Sequence, residues 1–70
     1  MVNTQELENR IKDSGKSRTF LAGKCGIKAI QTLKRKIDNE VDFTTTEVEV
    51  LCKELGITKL TEKESIFFAK

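Results

Sequence analysis

Apolar residues recur three and four positions apart along most of the chain, which is the spacing of an α-helix. The first such pair is Leu7 and Ile11. Asn3 precedes this pair and stands three residues before Glu6, an arrangement in which each side chain caps a backbone N–H group of the other. The pattern predicts a first helix over Thr4–Ser14.

Two short helices are predicted next. Ser17 is a suitable cap for a helix over Arg18–Cys25, and Gly26 is a suitable end. The apolar stripe of this helix consists of Phe20, Leu21, Ala22 and Cys25. A third helix is predicted over Lys28–Asp38. Its apolar positions, which should face the core, are Ile30, Leu33 and Ile37.

Two more helices complete the predicted set. Thr44–Glu47 has the sequence of a capping box, and the helix that follows it should end at Gly56. The alternating valines and glutamates after the cap alone would suit a strand, but the cap and the Leu51–Leu55 spacing favour a helix. Thr61–Glu64 repeats the capping signal before a last helix. The apolar residues of that helix are Ile66, Phe67 and Phe68.

These elements predict an all-α fold, a compact bundle of five short helices in one domain over residues 1–70. The segment 38–43 is the longest irregular connection, and Val41 and Phe43 are expected to pack against the core. Phe67 and Phe68 are also expected in the core, with a dimer patch as the alternative, because small bundles need every aromatic residue they have.

The composition argues against an enzyme. The chain has no histidine, which excludes a histidine base and any Ser-His or Cys-His pair. Cys25 and Cys52 are too few for a zinc site, which needs about four ligands, and are interpreted as small buried hydrophobes. None of the four glycines begins a phosphate-binding loop. We therefore expect a binding protein without a cofactor, a metal or a small-molecule substrate.

No membrane or secretion signal is present in the sequence. No apolar stretch approaches the ~18 residues that a membrane span needs. The segment 1–10 is polar and acidic, unlike a signal peptide. We therefore expect the chain to stay in the cytoplasm.

The net charge of +2 hides a strong asymmetry. Residues 1–13 and 38–70 carry net charges of −1 and −4, whereas residues 14–37 carry +7 and contain no Asp or Glu. We call residues 14–37 the basic block. Because ordinary protein surfaces mix both signs, this block indicates an acidic ligand, and a solvated basic face without a ligand is the alternative interpretation.

The third predicted helix presents part of this charge. With its apolar positions inward, its outer positions are Gln31, Thr32, Lys34 and Arg35. These residue types hydrogen-bond base edges and neutralise phosphates, so DNA is the first candidate ligand and an acidic protein surface the second. A membrane is the weakest of the three candidates, because the helix has only a narrow apolar face and no aromatic residue to seat in the interface. RNA is not favoured either, because the helix offers no aromatic residue on which bases could stack.

Three segments carry a family resemblance: RTFLAGKCGI at 18–27, QTLKRKI at 31–37 and FTTTEVEVLCKELGI at 43–57. Together they resemble the helix-turn-helix regulators of the Cro and lambda-repressor (XRE) family. The resemblance is strongest to the short second regulators that temperate phages of Gram-positive bacteria encode beside their repressor. It implies a lambda-repressor-like fold in which Ala22 packs where two helices touch and Gly26 allows the turn between them.

The resemblance also implies a ligand-binding surface. In this family the start of the first helix of the motif contacts a DNA phosphate, and the second helix lies in the DNA major groove. Arg18 would stand near the phosphate-contacting position. The implied contacts to bases and to the DNA backbone are Lys28, Gln31, Thr32, Lys34 and Arg35.

The sequence departs from the family pattern at one point. The segment GIKAIQTLKRKI at 26–37 is one residue too long. Without a gap, Thr32 falls at an aliphatic core position, and an extra residue around Lys28–Ile30 is needed to return Leu33 to the core. An added residue rotates a helix by ~100° or lengthens the turn, and either change can impair groove docking. The apolar Ile30 would suit contact with another protein.

Two functional hypotheses follow. The first is a Cro-like regulator of a phage lysis–lysogeny switch, which binds two-fold operator DNA as a homodimer in the host cytoplasm. The second is an anti-repressor or modulator whose degenerate helix-turn-helix binds the cognate phage repressor through the same residues, Ile30 included. A helical module of unrelated purpose, such as a toxin–antitoxin component, is the remaining alternative.

Overall fold

A computed structural model of the chain describes residues 1–69 and contains five α-helices in that range. The helices are α1 Thr4–Ser14, α2 Arg18–Lys24, α3 Ile30–Ile37, α4 Thr45–Leu55 and α5 Leu60–Phe67. No strand occurs in the described range, so the predicted all-α bundle of five short helices is confirmed. None of these helices has the length and apolar character that crossing a bilayer requires.

One apolar core lies between the helices. Six of its side chains are almost inaccessible to solvent: Leu7, Leu21, Leu33, Ile37, Leu51 and Ile66. Every helix contributes at least one of them, as the helical spacing predicts. Full burial of a leucine or isoleucine stabilises a fold by about 1.5–3 kcal/mol, so these six positions hold the helices together.

Capping side chains fix the helix starts that the sequence predicts best. Thr44 and Glu47 form the predicted capping box, in which each side chain accepts a hydrogen bond from the backbone N–H of the other. Asn3 Oδ1 accepts from the N–H of Glu6, as predicted. The predicted reciprocal bond, from the Asn3 N–H to the Glu6 carboxylate, is replaced, because the Asn3 N–H donates to the Ile66 carbonyl at 2.7 Å.

Several helix boundaries differ from the prediction. α2 ends one residue earlier, and α3 begins at Ile30, two residues later, because Ala29 has an extended backbone as its N-cap. α5 begins at Leu60 with Lys59 as N-cap, and the Lys59 side chain makes no capping bond. The predicted capping box at Thr61 is therefore wrong, because Thr61 already lies in the first turn.

Asn39 holds the connection that follows α3. Its φ of 66° lies in the left-handed region, which asparagine tolerates better than most residues. Its side chain accepts from the N–H of Val2 at 2.7 Å and donates to the carbonyl of Val2 at 2.8 Å. Phe43 packs edge-on against Phe67, as expected of a core contact. Val41 is 45% exposed because the chain turns back onto the end of α3, so its predicted core position is wrong.

Three other predicted core positions are exposed. Phe20 and Ile30 are each 44% exposed, and Phe68 is 57% exposed. A helix turns by about 100° per residue, so neighbouring apolar residues cannot all face one core. Next to Phe20, Leu21 takes the inward position. Next to Phe68, Phe67 does so. The core predictions for Phe20, Ile30 and Phe68 are therefore wrong.

Candidate functional site

The basic block spans the residues just before α2, α2 itself, the connection over residues 25–29 and α3. α2 ends in a tight turn, in which the Gly26 N–H donates to the Gly23 carbonyl and the Ile27 N–H donates to the Ala22 carbonyl. Gly26 has a φ of 75°, a left-handed conformation that glycine adopts without steric cost. This turn lets α3 pack against α2.

The burial of its residues shows which face of α3 is turned toward the core. Leu33 and Ile37 are buried, whereas Thr32 is exposed. α3 therefore turns Leu33 toward the core and Thr32 toward the solvent. Ala29, the N-cap, has no side-chain oxygen that could accept a hydrogen bond from the first turn.

Every predicted site residue is exposed. These residues are Arg18, Lys28, Ile30, Gln31, Thr32, Lys34 and Arg35. Ile30 is the first residue of α3, so exposed apolar surface lies at the beginning of that helix. The other six are polar or basic.

Four of the seven cations of the basic block form ion pairs with acids from outside it. The pairs are Lys16–Glu54, Arg18–Glu8, Lys34–Asp38 and Lys36–Glu47. The remaining three cations, Lys24, Lys28 and Arg35, make no ion pair within residues 1–69. The block is therefore less positive in the folded protein than its sequence charge of +7 indicates.

Lys36 belongs to the interior and not to the surface. It is 8% exposed, and its Nζ donates to Glu47 Oε1 at 2.5 Å. Burial by itself raises the pKa of Glu47, but hydrogen bonds from Lys36 and from Thr44 outweigh it and hold the pKa of this carboxyl below its ordinary value. The pair joins the end of α3 to the start of α4.

Phe20 is a feature of this surface that the sequence analysis missed. The Nζ atoms of Lys16 and Lys24 lie 5.8 and 5.4 Å from the centroid of its ring, which are distances of cation–π contacts. The signal was present in the spacing for Lys24, which stands four residues after Phe20 on the predicted second helix. We define the α2–α3 surface as the seven predicted site residues together with Phe20 and Lys24.

The two cysteines are packing residues. Cys52 is buried, as predicted, and Cys25 is partly buried against the core. Burial raises the pKa of both thiols and keeps them protonated at neutral pH. Among residues 1–69, no group of three or more Cys, Asp or Glu side chains is placed to hold a metal ion.

Comparisons with known proteins give no match to this chain, whether with protein-family models, with curated proteins or with solved structures. The interpretation of the α2–α3 surface therefore depends on its own geometry and charge.

Proposed function

We propose that the protein is a small helix-turn-helix regulator of transcription in a phage-type lysis–lysogeny switch. It acts by binding the cognate repressor protein through the α2–α3 surface. The observation that carries this proposal is the pair of exposed apolar side chains, Phe20 on α2 and Ile30 on α3, in a segment whose charged residues are all cations. Lys16 and Lys24 lie within cation–π distance of the Phe20 ring. The surface contributes no acid of its own.

The packing of α2 on α3 supports the helix-turn-helix part of the proposal. Ala22 is buried, and Gly26 is left-handed at the turn, which are the roles that the Cro-type resemblance implies for them. α2 and α3 are joined by a connection of five residues, 25–29, and Leu33 stays in the core after it. The arrangement is therefore compatible with a lengthened turn.

The exposed apolar side chains favour a protein as the ligand. Protein interfaces place apolar and aromatic anchors inside a polar rim. Ile30 stands at the start of α3, where a DNA-reading helix presents polar groups to base edges. Arg18, which would approach a phosphate, already pairs with Glu8 at 3.1 Å. A repressor surface that complements these residues would be acidic around an apolar centre.

Ile30→Asp tests this proposal. Binding would desolvate the new carboxylate, so the affinity for the cognate repressor should fall at least about tenfold, as measured by isothermal titration calorimetry. Leu60→Asp is the matched control, because Leu60 is also an exposed first residue of a helix but lies outside the α2–α3 surface. Leu60→Asp should bind like the original protein. Equal affinities of both variants, or no complex with the original protein, would contradict the proposal.

Direct binding of operator DNA is the second candidate function. Three exposed cations that make no ion pair with the described residues 1–69 favour it: Lys24, Lys28 and Arg35. Gln31 and Thr32 are exposed on the same α3 helix and can hydrogen-bond base edges. Each phosphate contact contributes about −0.9 to the slope of log affinity against log salt concentration, so three contacts give a slope of about −3 per protomer.

Arg35→Ala tests this second candidate. It should weaken binding to switch-region DNA and reduce the magnitude of the salt slope by about 1, as measured by fluorescence anisotropy over a series of salt concentrations. Lys53→Ala is the control, because Lys53 is an exposed cation on α4 and should leave the slope unchanged. Absence of DNA binding at low salt would eliminate this candidate.

A further inference from the structure

Exposed apolar side chains gather at one cleft, which is about 260 Å³ in volume and lies between residues 1–2, the connection after α3, the start of α4 and the end of α5. Met1 is 74%, Val41 45% and Phe68 57% exposed, and all three line it. The buried side chains of Val48 and Phe67 also belong to the lining. Apolar surface concentrated at one place is typical of a protein-interaction site. The cleft shares no residue with the α2–α3 surface, so its role is separate from the proposed function.

The cleft and the side chain of Phe68 supply a recess and a projection on the same surface. Phe68 directly follows the last residue of α5, and more than half of its surface is open to solvent. A cavity of about 150 Å³ holds a benzene molecule, so a cleft of about 260 Å³ has room for a phenyl ring. A two-fold interface brings the same surface of both copies together, and therefore needs both parts on one surface.

The charges at the cleft also complement each other. Asp42 is the one charged side chain among the described lining residues, and it is exposed without an ion pair to any residue in the range 1–69. The α-ammonium of Met1 is the positive group of the same lining. In a two-fold contact the ammonium of each copy would meet the carboxylate of the other, so both charges would be paired.

We propose that this cleft is the interface of a weak two-fold homodimer, in which Phe68 of each copy enters the cleft of the other. A surface with charges of one sign would favour a partner of the opposite sign, whereas one charge of each sign matches a second copy. Stable interfaces bury about 800 Å² per partner, and three exposed apolar residues cover only part of such an area. We therefore expect a dissociation constant on the order of 100 µM.

Sedimentation velocity of the full chain tests the proposal. From about 10 µM to about 1 mM, the sedimentation coefficient of the original protein should rise from that of a monomer toward that of a dimer. Phe68→Ser should sediment as a monomer throughout, because it removes the inserted ring. Leu60→Ser is the matched control, since Leu60 is also an exposed apolar residue of α5 but does not line the cleft, and it should dimerise like the original protein.

A charge reversal tests the pairing across the two-fold axis. Asp42→Lys would place a second ammonium opposite that of Met1, so it should weaken the dimer at least about tenfold. Asp13→Lys, at an exposed aspartate outside the cleft, should weaken it much less. Circular dichroism confirms that each variant keeps the helical fold.

Three results would overturn the proposal. The first is an original protein that stays monomeric at about 1 mM, well above the expected dissociation constant. The second is a Phe68→Ser or Asp42→Lys variant that dimerises as strongly as the original protein. The third is a dimer that Ile30→Asp abolishes, because Ile30 belongs to the α2–α3 surface and the interface would then lie there.

Discussion

Replacing Glu47 by alanine should destabilise the protein by about 3–5 kcal/mol. The change leaves the buried ammonium of Lys36 without its counter-ion. It also removes the acceptor of the Thr44 N–H at the start of α4. A protein of this length is typically stable by roughly 4–10 kcal/mol in total, so the loss would be a large share of its free energy of unfolding.

Thermal unfolding followed by circular dichroism measures this effect. One kcal/mol corresponds to about 4–8 °C at this size, so the midpoint should fall by at least about 12 °C. The exposed pair Lys34–Asp38 at the same end of α3 provides the control. Lys34→Ala should change the stability by less than about 1 kcal/mol. Similar losses in the two variants would contradict the stabilising role of the buried pair.

The same carboxylate predicts part of the pH dependence of stability. The pKa of Glu47 is lower in the folded protein than in the unfolded chain, so its contribution is complete above the unfolded pKa of about 4.3. That contribution is lost as the pH falls through the lower folded pKa. In urea unfolding from about pH 6 to pH 3, Glu47→Gln should therefore lose less stability than the original protein. Parallel curves for the two proteins would contradict this prediction.

Leu33→Ala is the second change with a large expected effect, a loss of about 2–5 kcal/mol. Leu33 is completely buried, so truncation leaves a cavity and removes its contacts with the rest of the core. Thr32→Ala, one residue earlier on the exposed side of α3, should change the stability by less than about 0.5 kcal/mol.

These two adjacent substitutions also report the register of α3. Urea unfolding measures both stabilities, and we expect a large loss for Leu33→Ala and almost none for Thr32→Ala. The reverse order would place Thr32 in the core.

Helix starts were predictable where a capping side chain marks them. Asn3 and Thr44 accept hydrogen bonds from N–H groups three residues later, and such local bonds are visible in the sequence. The start of α3 was not predictable in this way, because its N-cap is Ala29, which offers no capping oxygen. The same holds for α5, whose N-cap is Lys59.

Helical periodicity predicted the exposure of the polar candidate residues. It did not predict which cations of the basic block form ion pairs. Lys36 pairs with Glu47 and Lys16 with Glu54 across separations of 11 and 38 residues. No local pattern encodes such pairs, because the packing of whole helices brings them together. The sequence therefore overstates the free positive charge of the basic block. The exposure of Phe20 likewise depends on which of three consecutive apolar residues faces the core.

We propose that this protein acts on the cognate repressor through the α2–α3 surface. The most direct test of this proposal measures the affinity of the cognate repressor for switch-region DNA, by fluorescence anisotropy, with and without a saturating amount of this protein. We expect the original protein and Leu60→Asp to change that affinity at least about tenfold, and Ile30→Asp to leave it nearly unchanged. A repressor affinity that stays the same with the original protein, or that changes equally with both variants, would contradict the account.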